Sequence, residues 1–429
     1  MNSKRIVHRV LAPFILTTCL IAAPSSAQEN DLTKSGVWAA AEMDWPHWRG
    51  PEMNGISREK DLPERWSPQG ENVLWTNEEA AGRSTPIVMN GKLYTIVRDK
   101  PGTPQEGEKV LCLDAVTGEK LWENRFNVYL SDVPDTRVGW SSVFGDPQTG
   151  DVFALGVCGY FQCLDGVTGE TLWSHSMHEE YGLLSTYGGR TNFPIVHGNL
   201  VIISAIVIGW GDMAKPAHRF IAFDKRNGQP VWFEGTRILP FDTTYSAPVL
   251  SVINGQTLLL FGSGDGAMHA FQPQTGKEVW KYQVSPKRGL NITPVVADGL
   301  LISGQSEENV GDNTMGTLFA LDARKATEAG GEAPALWRHN QWYVGKSSPI
   351  VVDGRIYAVE DKGTLLVVEA KTGKLIVKKA LRGPMFASPL YVDGKIFVCT
   401  TSGIWWTFEP SKTGVNKRGV AWSSSPQHP

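Results

Sequence analysis

Leu113-Asp114-Ala115-Val116-Thr117-Gly118-Glu119-Lys120-Leu121-Trp122 returns almost unchanged as Leu164-Asp165-Gly166-Val167-Thr168-Gly169-Glu170-Thr171-Leu172-Trp173. Looser copies run from Phe223-Asp224 to Val231-Trp232 and from Phe271-Gln272 to Val279-Trp280. Leu321-Asp322-Ala323 restarts the pattern, with an Ala/Gly/Glu-rich insertion before Leu336-Trp337. Val368-Glu369 to Gly373 and Phe408-Glu409 to Gly414 are the most diverged copies. Self-similarity at this spacing marks stacked units that share one core, so the chain's 429 residues need not mean several domains.

A second marker alternates with the first. Ser84-Thr85-Pro86 leads through an apolar run to Asn90-Gly91, and Ser246-Ala247-Pro248 to Asn254-Gly255. Ser347-Ser348-Pro349 pairs with Asp353-Gly354 and Ala387-Ser388-Pro389 with Asp393-Gly394, while weaker copies start at Ser141, Asn192 and Ile292. Asn-Gly and Asp-Gly accept φ > 0 at both central positions and close two-residue hairpins. The flanking runs, such as Ile350-Val351-Val352, are β-branched. Each unit thus reads as a hairpin, a third strand ending in Leu-Asp, an Asp-x-x-Thr-Gly turn whose side-chain oxygens cap its own backbone, and a fourth strand carrying Trp.

Four-stranded antiparallel sheets repeated about an axis make a β-propeller. The expected fold is therefore all-β with seven blades, eight being the alternative. Trp75, Trp122, Trp173, Trp232, Trp280 and Trp337 read as flat spacers between neighbouring blades. Trp75, in Val73-Leu74-Trp75-Thr76, has no unit of its own, and nothing like Gly-x-x-Leu-Trp follows Gly414 promptly. The ring is therefore expected to be closed by this N-terminal strand, with Val420-Ala421-Trp422 as the rival.

Before the repeats, Lys4, Arg5 and Arg9 precede an apolar stretch from Val10 to Ala23 and a small-residue site at Ser25-Ser26-Ala27. This reads as a signal peptide cleaved after Ala27, and hence as a periplasmic or secreted protein. Lipid attachment at Cys19 is disfavoured by Thr18 before it and by the apolar run that continues past it. No later stretch approaches the roughly 18 apolar residues of a spanning helix. The organisation read from sequence is signal peptide 1–27, flexible linker 28–44, a Trp/Pro-rich lead-in segment 45–72 packed on the propeller, propeller 73–414, and flexible tail 415–429. Cleavage removes three cations and no anion, taking the formal charge from −3 to −6. An acidic chain without a basic run is unsuited to nucleic acid. Four cysteines remain (Cys112, Cys158, Cys163 and Cys399), too few for a disulfide framework.

These markers resemble the pyrroloquinoline-quinone (PQQ)-like β-propeller repeat family over about residues 73–414, and Trp45-Pro46-His47-Trp48-Arg49-Gly50-Pro51 resembles the lead-in of its exported bacterial members. The resemblance implies the propeller, and it spans two activities. Quinoprotein dehydrogenases hold PQQ, with calcium, usually against a disulfide of adjacent cysteines, whereas outer-membrane assembly factors of the BamB type are scaffolds. Here no two cysteines adjoin, no Cys-x-x-Cys-His is present, and the chain is short for an eight-bladed dehydrogenase. PQQ with calcium is thus implied by the resemblance alone.

No residue set reads as catalytic or as a metal site. Cys112 and Cys163 occupy the place of Ala222, Ala270 and Ala320 in other units and read as small core residues. His175-Ser176-Met177-His178 with Glu179-Glu180, and Glu307-Glu308-Asn309 with Asp312-Asn313, lack the spacing of zinc or calcium sites. Connection length is more informative. Long stretches such as Asn124 to Trp140 and Ser174 to Arg190 join successive units, and in an up-and-down blade they emerge on one face. Loops positioned by a rigid scaffold are where binding resides. The residues just before each first strand should ring the channel mouth there: Arg83, Trp140, Arg190, Thr191, Tyr245, Asn291, Lys346 and Phe386. Cations and aromatics in one concavity suit an anionic, carbohydrate-like or peptide ligand. The expected function is a non-enzymatic binding or scaffold propeller that turns this face toward a protein or envelope component. The alternatives are a quinoprotein-type oxidoreductase with a divergent cofactor site and a carbohydrate-active role.

Overall fold

The computed structural model describes residues 40–41, 43–63, 65–67, 70–128, 137–183, 193–205, 219–236, 244–326 and 331–422. The signal-peptide reading of 1–27 lies outside them. Among them stand seven sheets, each with a four-stranded antiparallel meander as a seven-bladed propeller requires, one of them widened by a fifth, parallel strand. Blade 1 comprises Ile87–Met89, Lys92–Asp99, Gly107–Asp114 and Lys120–Asn127; blade 2 comprises Phe144–Gly145, Val152–Leu155, Tyr160–Leu164 and Thr171–Ser176. Blade 3 is Ile195–His197, Leu200–Ala205, Arg219–Asp224 and Pro230–Gly235; blade 4 is Val249–Ile253, Gln256–Gly262, Ala267–Phe271 and Glu278–Gln283. Blade 5 is Val295–Ala297, Leu300–Glu308, Met315–Asp322 and Ala335–Asn340; blade 6 is Ile350–Val352, Arg355–Glu360, Thr364–Glu369 and Leu375–Ala380. Blade 7 is Leu390–Val392, Lys395–Cys399, Ile404–Ser411 and Gly414–Trp422. The insertion in blade 5 sends Gly331–Glu332 to pair in parallel along the outer strand of blade 4.

Local chemistry sets the geometry of each blade. Asn90 and Gly91 sit at φ 54° and 71°, Asp353 and Gly354 at 49° and 70°, the left-handed pair of the first hairpin turn. Asp114 accepts the N–H groups of Val116 and Thr117, and Asp165 those of Val167 and Thr168, capping the turn into the fourth strand. In that strand the Trp stands opposite a small residue: Trp122 faces Cys112, Trp173 Cys163, Trp232 Ala222, Trp280 Ala270 and Trp337 Ala320. All four described cysteines are free thiols.

The indole then reaches the neighbouring blade. Trp122 Nε1 donates to Gly166 O (3.3 Å), Trp173 to Lys225 O (2.9 Å), Trp232 to Pro273 O (3.1 Å) and Trp337 to Ala370 O (2.8 Å), each time the residue after the capping position of the next turn. The residue before the first-strand Pro adds a second joint in four places. Thr85 N–H donates to Ser142 Oγ, Ala247 N–H to Thr293 Oγ1, Thr293 N–H to Ser348 Oγ, and Ser348 N–H to Ser388 Oγ. The Ser/Thr-Pro marker thus supplies hydroxyls that take a backbone N–H of the preceding blade between blades 1 and 2, 4 and 5, 5 and 6, and 6 and 7.

The closure differs from the sequence expectation. Val73–Thr76 forms no ladder, and the fourth strand of blade 7 is the chain's own Gly414–Trp422, paired from Ile404↔Trp422 to Ser411↔Gly414. The stretch 415–422, read as the start of a flexible tail, is therefore structural. Trp75 nevertheless fills a joint: its Nε1 donates to Ala115 O (3.2 Å), and a Cβ on Gly118 would run into its ring. It takes the place that a blade 7 Trp would occupy over blade 1, because blade 7 has Gly419 at that position, opposite Thr407.

Candidate functional site

The first strands of the seven blades converge on the axis, and the lead-in segment occupies that space. Trp45 exchanges backbone hydrogen bonds with Val88 of blade 1, and Pro46 O accepts Gly145 N–H of blade 2. Gly55 O accepts Tyr391 N–H of blade 7, while Ser57 N–H donates to Tyr391 O. Leu250 N–H of blade 4 lies 3.3 Å from Met53 Sδ, and the Trp48 ring stands edge-on to Phe193, just before blade 3. Thirteen residues can reach so many blades only where those blades meet.

Arg49 is the staple of this plug. It is 2% exposed, and its guanidinium donates to Pro349 O (2.6 Å), Pro389 O (3.5 Å) and Asn54 O (3.1 Å). Burial pulls it down to about 9, and no carboxylate pairs with it in these contacts. His47 beneath it accepts the Arg49 N–H on Nδ1; burial and the adjacent cation push it down to about 3, so it is neutral. The proton therefore resides on Nε2.

Above the plug lies a cup of about 1150 Å³. Trp45, Trp48, Arg49 and Gly55 contribute its floor. Arg83, Trp140, Tyr245, Asn291, Lys346 and Phe386 line it together, whereas Arg190 and Thr191 lie outside the described residues. The rim is organised by cation–ring contacts. The Arg137 guanidinium lies 4.6 Å from the Trp140 centroid and 4.9 Å from that of Tyr245, and those two rings stack at 5.9 Å. Lys346 Nζ stands 4.3 Å from the Phe386 centroid. Such contacts hold cations in place without neutralising them. The acids in the lining are Glu307 and Asp361. Asp361 accepts Ser306 Oγ–H (2.8 Å) and Gly345 N–H (3.1 Å), and burial pushes its carboxyl up against those bonds.

Sequence reasoning missed Arg137, Arg49 and Trp48. Arg137 lies three residues before the mouth position of its loop, and the Trp/Pro density of 45–51 signalled packing rather than a channel floor.

A quinone-and-calcium seat does not fit this cup. Cys399 is its single cysteine, and both Asp361 oxygens are already engaged. Among the described residues no cluster of three metal-ligating side chains is present. His175 is held between Glu180 Oε2 and Gly228 O, each 2.7 Å away, beside a one-turn helix (Met177–Tyr181) capped by Ser176. Asn309 is bound by Gln305, Thr314, Gly316 and Arg338, and Asp312 by Thr314 and Asn340, whereas Glu308 Oε2 is buried without a hydrogen-bond partner among the described residues. No described helix is long and apolar enough to cross a membrane.

The family model described as "Outer membrane protein assembly factor BamB" matches residues 64–189, 106–327 and 314–428. Among curated proteins, outer membrane protein assembly factor BamB of Moranella endobia is 23% identical over 255 residues, 58% of this chain and 60% of that protein. The Burkholderia pseudomallei protein of the same name is 23% identical over 228 residues, covering 52% and 49%. The chain thus matches half to three-fifths of the length of these relatives. The crystal structure of BamB from Moraxella catarrhalis superposes with a TM-score of 0.52 at 15% identity, over 77% of this chain and 90% of that one. That is a likeness of fold.

Proposed function

Because the chain belongs to the PQQ-repeat family of outer membrane protein assembly factor BamB, we propose that it is an exported, non-enzymatic scaffold propeller. It works in the periplasm and docks a protein of the outer-membrane assembly machinery on its cup face. One observation carries the reading: the channel is stoppered by the protein's own lead-in segment, leaving a blind cup whose rim presents fixed cations and aromatic rings. Aromatic and Arg side chains on a rigid support are the groups that dominate protein-binding energetics, and like charges gathered at a concavity speed encounter with an opposite one.

The test compares capture from envelope extract by the wild-type chain, by Arg83→Glu with Lys346→Glu, and by Lys371→Glu on the opposite face. The cup-face pair should retain its folding stability to within the ~1 kcal/mol that exposed charges carry and lose its assembly-machinery partner. Lys371→Glu should lose nothing. Equal capture by all three overturns the assignment of the face. Dye reduction above a no-cofactor control, after incubation with PQQ and calcium, overturns the non-enzymatic reading.

A further inference from the structure

The face opposite the cup is built from the turns between third and fourth strands, and the repeat fills the tips of those turns unevenly. One tip position holds Val116 in blade 1 and Val167 in blade 2, but Arg226, Gln274 and Lys371 in blades 3, 4 and 6. The position after the turn glycine holds Glu119 and Glu170 in blades 1 and 2, but Lys277 and Lys374 in blades 4 and 6, and the turn of blade 7 offers Lys412. Val116 is 74% exposed, Val167 70%, and Leu74, beside Trp75 at the seam, 88%. No other large apolar side chain of the described residues is as open. Three aliphatic side chains held in water along one arc mark a contact surface.

Hydropathy does not say what covers this arc; charge does. Glu119 and Glu170 flank the valines, and neither has an ion pair among the described residues. Lys120 beside them is taken up by Glu79 (3.1 Å) and Glu123 (2.9 Å). An anionic lipid surface is repelled by such an arc. Its complement lies on the same molecule, across the seam. Lys371, Lys374 and Lys412 on blades 6 and 7 are exposed and likewise without an ion pair among the described residues. The two blades are tied together at this level, where Arg355 of blade 6 donates to Lys412 O (3.1 Å).

A face with an acidic, apolar sector on one side of a line and a basic sector on the other is self-complementary under a two-fold axis along that line. With the axis in the plane of the ring and through the seam, blade 1 of one copy lies over blade 7 of the other, and blade 2 over blade 6. Glu119 then faces Lys412, Glu170 faces Lys371 and Lys374, and the valines rest on lysine stems. Leu74, at the seam itself, meets its own copy. On the far side blade 4 sets Lys277 against its own copy, which confines the contact to the seam half of the face.

We propose that two copies of this chain pair turn face to turn face about this axis, leaving both cups open on the outside. The inference goes beyond the docking reading and is independent of it, because it uses no residue of the cup.

The test is sedimentation velocity of the full chain at about 100 µM, between the micromolar and millimolar marks of weak association. A dimer is expected at low salt, and its dissociation constant should rise roughly tenfold between about 20 and 500 mM salt as screening shortens. Glu119→Lys with Glu170→Lys should be monomeric, and so should Lys371→Glu with Lys374→Glu and Lys412→Glu. Mixed in equal amounts, these two variants should pair again, because every contact of the mixed dimer joins opposite charges. Leu74→Ser should weaken the wild-type dimer several-fold. All six positions are exposed, so thermal melts should match wild type and exclude misfolding as the cause. A wild-type monomer at low salt, either reversed set still pairing with itself, or no recovery on mixing overturns the proposal. Flotation of a monomer with phosphatidylglycerol vesicles, lost in the lysine-reversed set, assigns the face to lipid and overturns it as well. Each of these results leaves the cup face to be decided separately by Arg83→Glu with Lys346→Glu.

Discussion

Two kinds of joint hold this ring together, and they are made differently. Between blades 1 and 2, 2 and 3, 3 and 4, and 5 and 6, the same cassette repeats: an outer-strand Trp facing a small residue of its own blade and donating to a fixed carbonyl of the next. Between blades 4 and 5 the insertion replaces the receiving turn, and Trp280 is buried at 1% exposure with its N–H unpartnered among the described residues. Between blades 6 and 7 the Trp is replaced by Val377, opposite Val367 and packed against Gly414, and across the seam from blade 7 to blade 1 the cassette is absent altogether. Gly419 stands where the Trp would be, Trp75 is brought in from the lead-in segment, and Trp45–Ser57 fastens blade 1 to blade 7 along the axis. A regular joint is thus encoded within one repeat and its neighbour, whereas the seam depends on residues outside the repeats altogether.

The largest effect should come from ending the chain at Val415. This strips most of the outer strand of blade 7 and leaves Ile404–Ser411 as an open edge. The melting point should fall by roughly 10 °C or more, if cooperative unfolding survives at all. A mild effect would mean that the seam is held by the lead-in segment alone.

Next comes a matched pair. Trp122→Ala opens a regular joint and should cost ~3–5 kcal/mol in denaturant titration. Trp75→Ala, at the seam, should cost less, ~1–3 kcal/mol, because the Trp75 ring rests on the turn without belonging to a sheet. Equal costs would erase the distinction between the two kinds of joint.

A third test uses pH at the joint of blades 1 and 2. Glu108 accepts Gly139 N–H (2.7 Å) and Val157 N–H (2.8 Å) across that joint, and burial pushes its carboxyl up to about 7 against those bonds. Between the unfolded value near 4.5 and about 7, the folded state holds a proton that the unfolded state has released. Stability therefore falls as pH rises through that window, by no more than ~3 kcal/mol in total. Melts of Glu108→Gln between pH 4.5 and 7.5 should lack this slope. A slope that survives the substitution would assign the pH dependence elsewhere.

Much of the blade was legible because its markers are physical requirements of the joint. Asp114 and Gly118 make a turn that Trp75 can cover, and Cys112 leaves room for Trp122. The misreading of the closure has the same origin. The Trp marks the packing over a turn, and its backbone need not belong to a sheet. At the seam the two are separated: Trp75 supplies the packing, and Gly414–Trp422, which carries no such marker at Gly419, supplies the strand. The rim of the cup was legible through its spacing before each first strand. The floor was not, because Arg49 acts through carbonyls of Pro349 and Pro389 that no local pattern connects to it.

That staple sets a schedule. Arg49 and Pro389 are separated by 340 positions. At the usual pace of synthesis, about 5–20 residues per second, the receiving carbonyl follows the donor by tens of seconds. Contacts this distant in sequence are also the slowest to form. Throughout that interval Trp45, Trp48 and the Arg49 cation have no channel to occupy, and the ring cannot be stoppered early. The lead-in segment is thus made long before the last blade and finds its place only once that blade is available.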